Sequence, residues 1–346
     1  MSQSLLPLSV SHRFTKLSMW AYGLIFLTAF LSSGVVYGDQ GIDSFIDTAV
    51  QPITDTLAAV VFYSVNVFGT DIPLVVAWLV AAAVYFTLSL NFLNVRGFFH
   101  AIRLVRGDYS RSDAPGEVTH FQALATAVSG TVGIGNIGGV AIAITAGGPG
   151  ATFWMIMAGL LAMSTKFVEC TLGTLYRREN PDGSVSGGPM YYIEQGFVAR
   201  GWSKVGKAIG SFYALGIVIG CFGIGNMFQS NQAYQQFVNV TGGSESFFAD
   251  KGWLFGLLLG AVVGLVIIGG IKSIARVTSK VVPFMALLYG VGALIMIGMN
   301  YQAIPYAFGA IWAGAFSPEG MSGGVIGVMI IGFQRAVFSN EAGIGS

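Results

Sequence analysis

The chain has 346 residues, of which 54% are hydrophobic and only 10% are charged, and its mean hydropathy is +0.70. A composition this apolar excludes a water-soluble globular protein of that length. The formal net charge of +1 gives no reason to expect a nucleic acid partner. The composition therefore predicts an all-α polytopic membrane protein in contact with the lipid bilayer.

Several stretches reach the roughly 18 to 20 apolar residues that a bilayer core requires. In chain order the predicted spans are residues 17–36, 72–94, 120–146, 151–175, 208–230, 253–271, 281–299 and 323 onward. Most of the 17 lysines and arginines fall in segments that alternating spans place on one side. The positive-inside rule puts that side in the cytoplasm.

The N-terminal part precedes the main membrane domain, residues 72–346. Residues 1–40 fit either a signal peptide or a signal-anchor segment, because two basic residues precede an apolar run that small residues follow. Residues 41–71 have apolar side chains at helical spacing with acidic residues between them. They are predicted to form a periplasmic amphipathic helix.

The span 120–146 is interrupted near its middle, where residues 129–139 read SGTVGIGNIGG. A helix in lipid satisfies its own backbone groups, so a break is tolerated only where the freed groups face protein or a water-lined cavity. The half-helix before the break leaves carbonyls with partial negative charge, and the one after it offers amides with partial positive charge. A cation suits the first end and a carboxylate suits the second.

The side chains of this break carry the matching chemistry. The hydroxyls of Ser129 and Thr131 are candidate ligands of a monovalent cation, and Asn136 is placed to cap the second half-helix or to bind a substrate. Gly133 and Gly135 allow a ligand to approach the backbone. The pattern G-x-G-x-x-G lacks a preceding strand and a later acidic residue, which argues against a dinucleotide site. Close packing of two helices at G-x-x-x-G stays an alternative.

A second glycine-interrupted segment, residues 332–346, echoes the first. A pair of broken helices in corresponding positions indicates a secondary transporter built from inverted repeats. Counting spans gives an accessory span at 72–94, a complete five-helix first repeat at 120–299 and the start of a truncated second repeat at 323–346.

Other polar groups lie at membrane depth. Asn226, Gln229 and Ser230 either contact a substrate or tie helices together, and Lys166 and Glu169 are expected to form a structural pair on one helix face. No histidine stands beside a serine or cysteine within a span, so an enzyme is not expected. An ion channel remains the alternative function.

Long motifs match a known family. They are NVRGFFHAIR (94–103), GTVGIGNI (130–137), GGPGA (147–151), MSTKF (163–167), GPMYYI (188–193), GNM (225–227) with Gln229, and QRAVFSNEAG (334–343). Over residues 72–346 the chain resembles the alanine or glycine:cation symporters, also called the sodium:alanine symporter family.

The resemblance implies a leucine-transporter-like fold, uptake of small neutral amino acids such as alanine or glycine coupled to sodium, and a bacterial inner-membrane location. It also implies substrate contacts at Thr131, Gly133, Gly135, Asn136, Gln229, Ser339, Asn340 and Gly343. The first 70 residues extend beyond the usual start of the family, and the family's later helices are expected to complete the site.

Overall fold

The computed structural model describes residues 51–52, 55–67, 70–110, 116–223, 226–316 and 324–345. The chain divides into two compact units, Met1–Phe62 and Tyr63–Ser346. The predicted segment 1–40 lies outside the described residues. In the first unit, residues 51–52 and 55–61 are helical, and the Phe62 amide donates to the Ala58 carbonyl at 2.8 Å.

A short antiparallel hairpin opens the second unit. Strand β1 (Ser64–Val67) pairs with strand β2 (Thr70–Pro73), and Val65 lies opposite Ile72. The predicted amphipathic helix 41–71 was therefore too long at its C-terminal end. The β-branched residues that alternate along both strands favour extended backbone, which explains why helix gives way to sheet here.

Thirteen α-helices follow within the described residues. They are α1 (Leu74–Ser89), α2 (Leu93–Arg96), α3 (Phe98–Arg106), α4 (His120–Thr131), α5 (Ile134–Gly147), α6 (Gly150–Leu175), α7 (Pro189–Val198), α8 (Ser203–Gly223), α9 (Met227–Val240), α10 (Gly252–Ile267), α11 (Gly270–Met299), α12 (Ile304–Phe316) and α13 (Gly324–Asn340).

Four helical segments among the described residues are long and apolar enough to cross a membrane. They are His120–Gly147 across the first break, Gly150–Leu175, Ser203–Cys221 and Gly270–Met299. The apolar helices α1, α10 and α13 are shorter. The expectation of a helical polytopic membrane protein is thus confirmed, with two small hairpins added to the helices.

The second hairpin lies between α6 and α7, where strand β3 (Arg178–Glu179) pairs with strand β4 (Val185–Ser186). Its turn is closed by Asp182, which accepts hydrogen bonds from the Ser184 hydroxyl and amide. These bonds hold the pKa of Asp182 below its usual value. This segment lies between the predicted spans 151–175 and 208–230, where the sequence predicted no strands.

The apolar core of the second unit lies between α1, α5, α6 and α13. It is formed by Val76, Ala143, Ala151, Met155, Ala158, Val328, Phe333 and Ala336. Small residues let the helices approach closely, and a Cβ on Gly332 of α13 would lie 2.7 Å from the Trp154 Cβ of α6. Because α13 packs into this core, the end of α13 is held at a fixed place beside α6.

The structure also corrects several predicted span limits. Helices α7, α9 and α12 occupy segments for which no separate span was predicted. Helix α11 covers the predicted span 281–299 but begins eleven residues earlier, at Gly270. The predicted span stopped at the charged residues Lys272, Arg276 and Lys280. These residues are four positions apart, so a helix can continue through them and place all three on one polar face. The predicted span 208–230 was wrong as a single helix, since α8 ends at Gly223 and α9 begins at Met227.

Candidate functional site

The first break lies where sequence analysis predicts it. Helix α4 ends at Thr131, Val132 is extended with φ −93° and ψ 106°, and α5 begins at Ile134. The last carbonyls of α4 and the first amides of α5 therefore lack partners within their own helices. Their partial charges of opposite sign meet at residues 132 and 133.

Side-chain amides satisfy the freed backbone amides of this break. The Gly133 amide donates to Asn136 Oδ1 at 3.0 Å, and the Ile134 amide donates to Gln229 Oε1 at 3.2 Å. Gln229 lies on α9 and comes so close that a Cβ on Gly133 would lie 2.6 Å from Gln229 Nε2. Glycine at position 133 therefore leaves room for the glutamine that supports the break.

The second break follows the last residue of α13. Glu341 has φ +50°, Gly343 has φ +90° and Gly345 has φ +86°, so three residues of this turn adopt the left-handed region. Glycine accepts that backbone without strain, whereas a glutamate there is unusual. We call residues 341–345 the second-break turn.

Two side chains from other helices hold the second-break turn. Glu169 of α6 accepts hydrogen bonds from the Gly343 amide at 3.2 Å and from the Gly345 amide. Tyr213 of α8 donates its hydroxyl to the Gly345 carbonyl at 3.0 Å, with the Ile344 carbonyl 3.3 Å away. The turn therefore donates hydrogen bonds to a side chain of α6 and accepts them from a side chain of α8.

Two titratable groups, Lys166 and Tyr192, lie near the Glu169 carboxylate. The Lys166 ammonium lies 3.4 Å from the Glu169 carboxylate, whose side chain is 11% exposed. Tyr192 of α7 lies near enough to respond to the same charge: burial, and then the negative charge of Glu169, raise the pKa of Tyr192 to about 12. The Tyr192 phenol is therefore neutral at physiological pH.

A cavity of about 220 Å³ connects the two breaks. Its walls come from the first break, from α6 and from the second break. The lining residues are Thr131, Val132, Asn136, Gly159, Ala162, Met163, Lys166, Ser339, Asn340 and Ala342. The two broken helices also touch, because a Cβ on Gly135 would lie 3.5 Å from the Ser339 Cα.

The predicted site residues divide into those that line the cavity and those that support it. Thr131, Asn136, Ser339 and Asn340 line it. Among the supporting residues, Gly133 and Gln229 hold the first break, Gly135 packs on α13, and Gly343 bonds to Glu169. Ser129 is exposed and donates its hydroxyl to the Thr126 carbonyl at 2.7 Å, outside the cavity lining.

Sequence reasoning did not assign Lys166, Glu169 or Tyr213 to the site. Lys166 and Glu169 were interpreted as a structural pair, and the structure has that pair but also places it between the cavity and the second-break turn. The available signal was two ionisable residues inside an apolar span, which are costly there and are functional candidates by default. Tyr213 gave no comparable signal.

Two interrupted helices whose residues line one cavity, in a helical membrane protein, are typical of secondary transporters. The chain belongs to the sodium:alanine symporter family, whose model matches residues 54–346. This confirms the resemblance seen in the sequence motifs, but the match begins before residue 72, so the expected extension of 70 residues was too long. It also places the chain in a family of transporters and not of enzymes.

Individual relatives support the same assignment. The chain is 38% identical over 275 residues to the sodium/alanine symporter AgcS of Methanococcus maripaludis, covering 79% of this chain and 58% of that protein. It is 36% identical to GlnT of Bacillus subtilis, named as a probable sodium/glutamine symporter, with 79% and 54% covered. It is 34% identical to the amino-acid carrier protein AlsT of the same organism, with 78% and 54% covered. The chain spans about half the length of the curated relatives it matches.

Proposed function

We propose that the protein is a sodium-coupled symporter that imports small neutral amino acids such as alanine or glycine by alternating access. The observation that carries this proposal is the cavity that residues from both breaks line together. The two helix ends at this place have opposite partial charges. They suit a zwitterion bound together with a cation better than they suit one ion alone.

The carboxylate of the amino acid is proposed to lie at the start of α5. The start of that helix keeps the positive end of its dipole although the Gly133 and Ile134 amides are bonded to side chains, and Asn136 lines the cavity at the same place. Lys166 adds a positive charge to the lining, partly balanced by Glu169 at 3.4 Å. Ser339 and Asn340 offer neutral oxygens to the substrate ammonium group.

The rest of the lining favours a small uncharged side chain. Val132, Ala162, Met163 and Ala342 are apolar, and Gly159 adds no side chain. The volume of about 220 Å³ is below the roughly 300–1,000 Å³ of pockets for drug-sized ligands. Alanine and glycine fit both the apolar lining and the small volume. Glutamine is the competing substrate, because one relative is named for it.

Sodium is proposed to bind at the end of α4, beside the amino acid. Thr131 lines the cavity at that end, and its hydroxyl donates to the Ala127 carbonyl at 3.1 Å, which leaves its oxygen lone pairs available to a cation. Sodium bound there orders the break and favours amino acid binding. By linkage, the amino acid raises the affinity for sodium by the same factor.

The proposed architecture is the leucine-transporter-like fold with inverted repeats, of which residues 120–299 form the first. Alternating access then follows from rocking of the helices that carry the breaks against the rest. The protein is proposed to reside in the bacterial inner membrane with its basic segments in the cytoplasm.

Uptake of labelled alanine by the full-length protein in membrane vesicles tests the proposal. We expect uptake to require an inward sodium gradient and to be competed by glycine, with vesicles lacking the protein as the control. Competition by glutamine alone would change the substrate. Uptake that responds to neither a sodium nor a proton gradient would overturn the proposed function.

A further inference from the structure

The second-break turn leaves the regular hydrogen-bond pattern of its own helix. The Glu341 amide still donates to the Val337 carbonyl at 3.1 Å, as in a continuing helix. The left-handed backbone at Glu341 ends that pattern, and the next amides need acceptors from elsewhere. Ala342, which belongs to this turn, lines the cavity together with Ser339 and Asn340 just before it.

We propose that Glu169 and Tyr213 form a clamp that fixes the second-break turn and thereby positions the Ser339–Asn340 wall of the cavity. Glu169 is a positioning residue in this proposal, because its carboxylate contacts the Gly343 and Gly345 amides and not the cavity itself. The inference rests on the proposed function in one respect, namely that the wall contacts the amino acid.

The charge of Glu169 makes its side of the clamp the stronger one. A carboxylate that accepts two backbone N–H bonds holds them more tightly than a neutral oxygen does. The Lys166 ammonium at 3.4 Å compensates the charge within the apolar span. Tyr213 complements the carboxylate, because it donates to the carbonyls of a turn whose amides are already bonded.

The shape of the turn fits this arrangement. A Cβ on Gly343 would lie 2.8 Å from the Leu79 Cδ2, and a Cβ on Gly345 would overlap the Tyr213 hydroxyl. Side chains at these two positions would therefore push the turn away from α1 and α8. Glycine lets the backbone reach both clamp residues.

Hydrogen–deuterium exchange on the full-length protein tests the clamp without any need for transport. Glu169→Gln replaces one acceptor oxygen by a donor and removes the charge at nearly constant volume. We expect amide exchange in a peptide covering residues 338–345 to rise about tenfold or more. Exchange in a peptide covering residues 129–140, at the first break, is expected to stay within about twofold of the wild-type rate.

Two further variants separate the clamp from a general loss of structure. Tyr213→Phe is expected to raise exchange in the same peptide by about threefold, since it removes a donor to carbonyls while the amides keep Glu169. Glu179→Gln is the matched control: Glu179 is 60% exposed and pairs with Arg177 at 3.9 Å, and no change is expected. Unchanged exchange at residues 338–345 in both clamp variants would overturn the proposal.

The uptake assay supplies the second readout. A positioning role predicts that Glu169→Gln raises the KM for the amino acid about tenfold while the amount of folded protein in the membrane stays the same. If the wild-type protein shows no ion-coupled uptake but the clamp variants exchange faster, the clamp is supported and the proposed function is rejected. If uptake is ion-coupled and Glu169→Gln has both the KM and the amide exchange of the wild-type protein, the clamp alone is rejected.

Discussion

The first broken helix gives its freed amides to neutral acceptors, whereas the second gives them to a carboxylate. Asn136 and Gln229 accept from the Gly133 and Ile134 amides, and Glu169 accepts from the Gly343 and Gly345 amides. A neutral hydrogen bond contributes about 0.5–1.5 kcal/mol, and one to a charged group contributes about 1.5–3 kcal/mol. The first break is therefore held less strongly than the second.

Packing enhances this difference. Helix α13, which leads into the second break, buries seven residues, among them Val328 at 1% exposure and Ala336 at 2%. Helix α4, which leads into the first break, buries only Ala125. A segment with few buried contacts opens at lower free-energy cost than a packed one. We therefore predict that the first break responds to ligands more readily than the second, which forms the more rigid wall of the cavity.

The largest expected effect concerns the packing of the second broken helix, α13, against α6. Gly332→Ala on α13 introduces a Cβ 2.7 Å from the Trp154 Cβ and 2.8 Å from the Ala151 carbonyl oxygen, so we expect a loss of about 1–3 kcal/mol in unfolding free energy. Denaturant titration of the purified protein in detergent measures it. Gly139→Ala on α5, where a Cβ would meet nothing within 4 Å, is the matched control. It is expected to be neutral or to stabilise by up to about 1 kcal/mol. Equal losses in both variants would contradict the difference in packing.

A smaller effect is expected at the support of the first break. Asn136→Ala removes the acceptor of the Gly133 amide and is expected to cost about 1 kcal/mol of stability and to weaken amino acid binding. Asn136→Asp keeps the acceptor, so stability is expected to stay within about 0.5 kcal/mol of wild type. Its negative charge in the cavity lining repels the substrate carboxylate, so binding is expected to weaken as well.

Thermal unfolding and amino acid uptake measure these two properties separately. Asn300→Ala is the surface control, because Asn300 is exposed and its side chain donates only to the Met296 carbonyl of its own helix, at 2.9 Å. Normal uptake affinity in Asn136→Asp would remove Asn136 from the substrate contacts and leave it as a cap.

The first break was predictable because its signal is local. Glycines, hydroxyls and an asparagine within one apolar span indicate a break, and of these residues Thr131, Gly133 and Asn136 line or support the cavity, whereas Ser129 does not. The pairing of the first break with residues 339–343 was also accessible, since both segments interrupt an apolar helix. The start of α11 at Gly270 was missed because a length-based estimate of spans stops at charged residues, although a helix continues through them.

The clamp was not predictable because its contacts are far apart in the sequence. Glu169 is 174 residues from Gly343, and Tyr213 is 132 residues from Gly345. No periodicity or spacing reports such a contact. The i,i+3 relation between Lys166 and Glu169 even favoured a local explanation of both charges, which hid the backbone amides that Glu169 accepts from.

The smallest expected effect distinguishes the two hydroxyls at the end of α4. Thr131 lines the cavity, whereas Ser129 is exposed with its hydroxyl bonded to the Thr126 carbonyl. Thr131→Val removes the hydroxyl at similar volume. We expect it to raise the sodium concentration for half-maximal alanine uptake about fivefold. That factor corresponds to the loss of one interaction of about 1 kcal/mol, the size of a single hydrogen bond. Ser129→Ala is expected to leave that concentration unchanged. If Ser129→Ala instead raises the sodium requirement and Thr131→Val does not, the cation lies nearer Ser129, two residues further back in α4, and the first break binds the amino acid alone.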